Sequence, residues 1–113
     1  MTTRHCFLLK VRAERLGDYR AAHASVPRAM LDAIAASGWS NYSIFTDESG
    51  LIVGYVEAED FDGSRALISS SEARAEWDAL IGEYFEPLDP ARPHEGMRQL
   101  PIAFQLEEQL SAR

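Results

Sequence analysis

Trp39-Ser40-Asn41-Tyr42-Ser43-Ile44-Phe45-Thr46-Asp47-Glu48-Ser49-Gly50-Leu51-Ile52-Val53-Gly54-Tyr55-Val56-Glu57-Ala58-Glu59 is the stretch that decides the fold. From Trp39 to Thr46, Tyr42 and Ile44 fall on one side and Asn41, Ser43 and Phe45 on the other, the two-residue period of a strand. Asp47-Glu48-Ser49-Gly50 is turn chemistry. Leu51 to Glu59 reads as a second strand, so the stretch predicts a β-hairpin.

Upstream, His5 to Val11 alternates Phe7, Leu9 and Val11 with Cys6, Leu8 and Lys10, and apolar residues on both faces predict an interior strand. Leu16, Tyr19 and His23 then fall at helical spacing within about residues 14–24. Pro27 breaks that helix, and Ser25 is the expected cap of the next one, with Pro27 in its first turn. Met30, Leu31, Ile34 and Ala35 share a face of this second helix, and Gly38 stops it.

Downstream, Phe61 to Ile68 is a short helical pattern. Ser69 with Glu72 suggests a capping box opening a helix whose stripe is Ala73, Trp77, Leu80, Ile81 and Tyr84. Pro87, Pro90 and Pro93 force an irregular loop, and a last strand is expected over Ile102–Glu108. The order is strand, helix, strand, strand, helix, strand. It is the α+β arrangement called ferredoxin-like, the split βαβ fold. Its helices cover one face of the sheet only, so a second copy of the chain is the expected cover of the other, giving a dimeric α+β barrel and a homodimer.

The 113 residues are one domain's worth, expected as a single domain over 1–113, with 46% hydrophobic and 26% charged residues. A net charge of -7, with Lys10 the single lysine among eleven basic residues, argues against nucleic acid and anionic lipid as partners. No apolar run approaches the ~18 residues of a membrane helix, and Lys10 interrupts the N-terminal apolar run, so neither a membrane span nor a signal peptide is expected. Cys6 stands alone, which excludes an internal disulfide. A cytoplasmic location is the expectation. His5, His23 and His94 are too scattered for a metal site, and no phosphate loop or nucleophile elbow is present.

The sharpest local feature is Tyr19 with His23, one helical turn apart on the inward face of Leu16. Two readings stand: a core pair satisfied by backbone carbonyls, or a site wall in which histidine exchanges protons near neutral pH. Tyr42 and Trp77 read either as core aromatics or as pocket walls, and Glu76, roughly a hundred degrees round the helix from Trp77, reads as a solvated carboxylate.

Taken together, Phe7-Leu8-Leu9-Lys10-Val11, Tyr19-Arg20-Ala21-Ala22-His23, Gly38-Trp39-Ser40-Asn41-Tyr42-Ser43-Ile44-Phe45, Val53-Gly54-Tyr55-Val56-Glu57, Glu76-Trp77 and Phe104-Gln105-Leu106 resemble the L-rhamnose mutarotase family over nearly the whole chain. The resemblance implies a small dimeric barrel that acts as an isomerase of the aldose 1-epimerase type. It matches His23 to the family's proton donor, Tyr19 and Tyr42 to sugar contacts, and Trp77 to the second of two adjacent pocket tryptophans. Glu76 replaces the first of these, and the chain reads Pro27-Arg28-Ala29-Met30 where the family usually has a Pro-Glu pair. Glu76 is accordingly expected to meet a sugar hydroxyl, with L-rhamnose or a related deoxy hexose as substrate and no metal or organic cofactor. The alternative is a ligand-binding or cofactor-free oxygenase-type barrel of the same architecture.

Overall fold

A computed structural model describes residues 2–112. Strand β1 (Thr3–Lys10) leads through a single 3-10 turn (Ala13–Arg15) into helix α1 (Leu16–His23). Helix α2 (Arg28–Ser37), strands β2 (Ser40–Thr46) and β3 (Leu51–Ala58), and helices α3 (Phe61–Ser69) and α4 (Glu72–Ile81) follow. A 3-10 turn (Gly82–Tyr84) and the proline-rich loop precede β4 (Arg98–Leu100) and a short α5 (Leu106–Ser111). The sheet order is β2-β3-β1-β4, antiparallel throughout, with β1 inside as its two apolar faces predict. The α+β ferredoxin-like expectation holds.

The hairpin forms where the alternation places it. Gly50 closes the turn at φ 95°, a conformation open to glycine, and a Cβ there would clash with the Val11 carbonyl. Ile52, Gly54, Val56 and Ala58 of β3 are buried while their alternates are half-buried, so the helices pack on the first set. A bulge sets Asn41 and Tyr42 of β2 between the paired residues Ser40 and Ser43, with Asn41 at φ 49°. The extra residue keeps Tyr42 and Ile44 on the helix-covered side.

Two hydrophobic clusters occupy that side. Val11, Leu16, Tyr19, Met30, Ile52, Ile68, Trp77 and Ile81 form the larger; Phe7, Val56, Ala58 and Phe61 form the smaller; Leu9 and Trp39 touch both. On the other face Phe45 is 60% and Leu100 40% exposed. Beyond Pro101, Ile102, Phe104, Leu106 and Leu110 are exposed as well. The Cα radius of gyration, 15.2 Å, exceeds the ~13 Å of a compact chain of this length.

Four local expectations are corrected. The last strand is residues 98–100, not 102–108: Pro101 lacks the N–H that would extend the ladder, and Leu106 and Leu110 then take helical spacing. Helix α2 is entered through Pro27 itself, with no side-chain cap, so Ser25 does not cap it. Ser69 ends α3, and Ser71 caps α4 by accepting from the Arg74 amide at 3.1 Å while donating to the Ile68 carbonyl at 2.7 Å. Leu80 is 53% exposed, so the buried stripe of α4 runs through Trp77 and Ile81.

Candidate functional site

The two clusters do not close on each other. Between them, under α1, α2 and α4, lies a cavity of about 540 Å³. Its floor comes from the sheet (Phe7, Leu9, Tyr42, Ile44) and its walls from the helices (Tyr19, His23, Met30, Trp77, Ile81). Exposed Leu31, Arg65, Asp78 and Gly96 mark the mouth. The volume is in the range of small-molecule sites.

Helix α1 turns Tyr19 and His23 onto the same face, with ring centroids 4.1 Å apart. His23 Nδ1 lies 2.8 Å from the Tyr19 carbonyl oxygen. A carbonyl only accepts, so Nδ1 carries the proton, and in the neutral ring Nε2 is left bare. Burial lowers the His23 pKa below its usual 6.5, partly opposed by that backbone hydrogen bond. At neutral pH the imidazole therefore presents a free base. The edge of Trp77 meets it at 5.0 Å and 81°. His23 and Tyr19 also line a smaller surface depression of about 240 Å³.

The two phenols behave as weak acids held neutral. Burial pushes Tyr42 up to about 12, against the pull of the Arg74 charge. Burial, and then the neighbouring Tyr42, raise Tyr19 further. Tyr42 is braced by Trp39 at 5.1 Å and Phe7 at 6.1 Å, and Trp39 stacks on Phe61 at 5.2 Å. The arrangement gathers an imidazole with one bare nitrogen and two phenols that keep their protons around one largely aromatic cavity. It is suited to moving a proton onto and off a neutral, partly apolar molecule.

Of the residues predicted from sequence, Tyr19, His23, Tyr42 and Trp77 come together around the cavity; Glu76 is exposed and does not line it. The sequence reading missed Arg74 and Asp78, which do line it, and the bracing role of Trp39. Helical arithmetic holds the signal. Taking Trp77 as zero, Ile81, Arg74 and Asp78 fall at roughly 40, 60 and 100°, whereas Glu76 falls roughly 150° from the middle of that arc. Among the described residues no three His, Cys, Asp or Glu side chains gather as a metal site, and no helix is long and apolar enough to cross a membrane.

The L-rhamnose mutarotase family model matches residues 4–106. An L-rhamnose mutarotase of Shouchella clausii is 29% identical over 91 residues, which are 80% of this chain and 86% of that one. Among solved structures, an L-rhamnose mutarotase from Formosa agariphila superposes with a TM-score of 0.73 at 17% identity, over 92% of this chain and 98% of the other. A dimeric ferredoxin-like protein from an uncultured marine organism aligns at 0.54 and 13% identity, over 93% and 98%.

Proposed function

Because the chain belongs to the L-rhamnose mutarotase family, we propose that it interconverts the α and β anomers of L-rhamnose or a related deoxy hexose, with His23 as its catalytic residue. The observation that carries this reading is that His23, whose Nδ1 is bound to the Tyr19 carbonyl so that Nε2 is left bare, lines one cavity with two phenols. In ring opening, Nε2 takes the proton of the anomeric hydroxyl, the C1–O1 bond becomes a carbonyl, and the C1–O5 bond breaks. The electron pair of that bond stays on O5, which gains a proton from a donor in the cavity. Rotation about C1–C2 exposes the other face of the aldehyde. On closing, O5 attacks C1, loses its proton, and the imidazolium returns a proton to O1. No proton is gained or lost overall, so one histidine serves both directions. Tyr19 and Tyr42 hold hydroxyls and ring oxygen as hydrogen-bond partners, and the Trp77 ring covers the apolar face of a deoxy sugar. The family match weighs against the ligand-binding or oxygenase-type alternative.

The same proposal makes the molecule a homodimer of single-domain chains in the cytoplasm. The dimer is supported by the exposed Phe45, Leu100, Ile102, Phe104 and Leu106 and by the dimeric ferredoxin-like protein of similar fold. Light scattering at micromolar concentration is expected to read twice the 12.6 kDa chain mass; a cooperative folded monomer refutes it.

The activity is tested by saturation-transfer NMR, which reads anomer exchange directly. His23→Asn keeps a polar side chain and removes the titrating group. Exchange is expected to fall by about two to four orders of magnitude, with sugar affinity far less affected. A folded His23→Asn protein that exchanges anomers at the parent rate removes His23 from the reaction.

A further inference from the structure

Proton transfer at the anomeric carbon leaves a paired set of charges in the cavity wall unused. Arg74 and Asp78 stand one turn apart on α4, on the arc that carries Trp77 and Ile81, and both line the cavity. Arg74 Nε donates to Asp78 Oδ1 at 2.7 Å. That bond leaves the terminal guanidinium nitrogens and the other carboxylate oxygen without a hydrogen-bond partner among the described residues. The pair holds itself in position while offering donors on one side and an acceptor on the other.

A second ion pair of the same kind shows what is particular here. Arg28 and Asp32 on α2 are also four residues apart, at 3.0 Å, but do not line this cavity. Their side chains are 85% and 63% exposed, against 39% and 53% for Arg74 and Asp78. The Arg74 charge also acts on the Tyr42 phenol, which lines the same cavity. Two adjacent sugar hydroxyls each give one proton and accept another. A guanidinium held beside a carboxylate offers the complementary set.

We propose that Arg74 and Asp78 are a diol-reading pair that sets substrate preference, selecting pyranoses whose C3 and C4 hydroxyls face the cavity mouth while His23 takes the anomeric end. The inference rests on the mutarotase reading. It places the hydroxyl recognition expected of Glu76 on the face of α4 that meets the cavity.

The experiment compares L-rhamnose with its 2-deoxy, 3-deoxy and 4-deoxy analogues in anomer exchange, for the parent, Asp78→Asn, Arg74→Gln and the control Arg28→Gln. The parent and Arg28→Gln are expected to favour L-rhamnose over the 3-deoxy and 4-deoxy sugars by about tenfold in kcat/KM, as lost hydrogen bonds to a partly exposed charged pair imply. The 2-deoxy sugar is expected to suffer less. In Asp78→Asn and Arg74→Gln the preference is expected to shrink to about threefold or less, mainly through KM. Variants that keep the parent's preference, or a parent without one, overturn the inference and leave the pair a surface ion pair. A parent that accelerates none of the sugars overturns the activity instead. The pair is then judged by L-rhamnose affinity from Trp77 emission in a Trp39→Phe background: about tenfold weaker binding in both variants upholds it, while unchanged binding or none overturns it.

Discussion

Gly54 stands opposite Phe7 in the register of the two central strands. A Cβ built on it would sit 2.9 Å from Phe7 Cε1 and closer still to Cζ and Cε2. Carbon atoms rest at about 3.5–4.0 Å, so in Gly54→Ala the Phe7 ring has to withdraw by roughly an ångström or more. It has little room. Phe7 is 2% exposed, and Trp39, Tyr42 and Phe61 surround it at centroid distances of 6.2, 6.1 and 6.4 Å. The backbone raises no objection of its own, because Gly54 is not among the positive-φ glycines. Overpacking of this kind costs about 1–3 kcal/mol, and the strand gains back about 0.5–1 kcal/mol on losing a glycine. The net expectation is a loss of about 1–2 kcal/mol, or roughly 4–8 °C in Tm for a chain of this size. The displaced ring presses on Tyr42, so sugar exchange is expected to weaken through KM. Thermal melts of the parent, Gly54→Ala and Gly54→Ala/Phe7→Leu test this, the double variant recovering part of the loss because the smaller side chain vacates the clash. A Gly54→Ala protein melting at or above the parent temperature refutes the confinement of the ring.

Other outcomes follow from the same geometry. The lowered pKa of His23 means the unfolded chain binds the proton more readily. The resulting stabilisation is therefore full above pH 6.5 and is lost as pH falls through the lower folded value. Urea midpoints should drop on acidification from pH 7 more in the parent than in His23→Asn, and exchange should decline over the same interval as Nε2 is protonated; equal acid sensitivity in both proteins refutes the assignment. Trp77→Ala should cost about 3–5 kcal/mol by denaturant titration, because a ring 8% exposed leaves a cavity. Ser71→Ala should cost about 1 kcal/mol of thermal stability and Ser69→Ala markedly less, since Ser71 holds the cap of α4.

The hairpin was legible because period-two alternation in residues 39–59 has no helical rival, and the Gly38 stop because no other residue type suits its φ of 104° so well. The pairing of Tyr19 with His23 followed from one helical turn of spacing, and Tyr42 and Trp77 joined them through the family resemblance. What escaped was set by competition among neighbours. Three consecutive serines, Ser69 to Ser71, offer the same cap, and the length of α3 decides which one is used. Ile102 to Leu106 alternates like a strand, but Pro101 has already ended the pairing. Glu76 drew attention for replacing an aromatic residue, while the orientation of α4 turns Arg74 and Asp78 to the cavity instead.

The cavity shares its walls with the core. Tyr19, Met30, Ile68, Trp77 and Ile81 line the first while belonging to the second. Natural selection for a folded chain and selection for a sugar-shaped interior therefore act on the same side chains, and a lineage exploring new substrates has little freedom there. Arg65, Arg74 and Asp78 line the mouth and belong to neither cluster. Substitutions at those positions are expected to alter what the cavity admits at small cost to folding, because they remove no buried apolar packing.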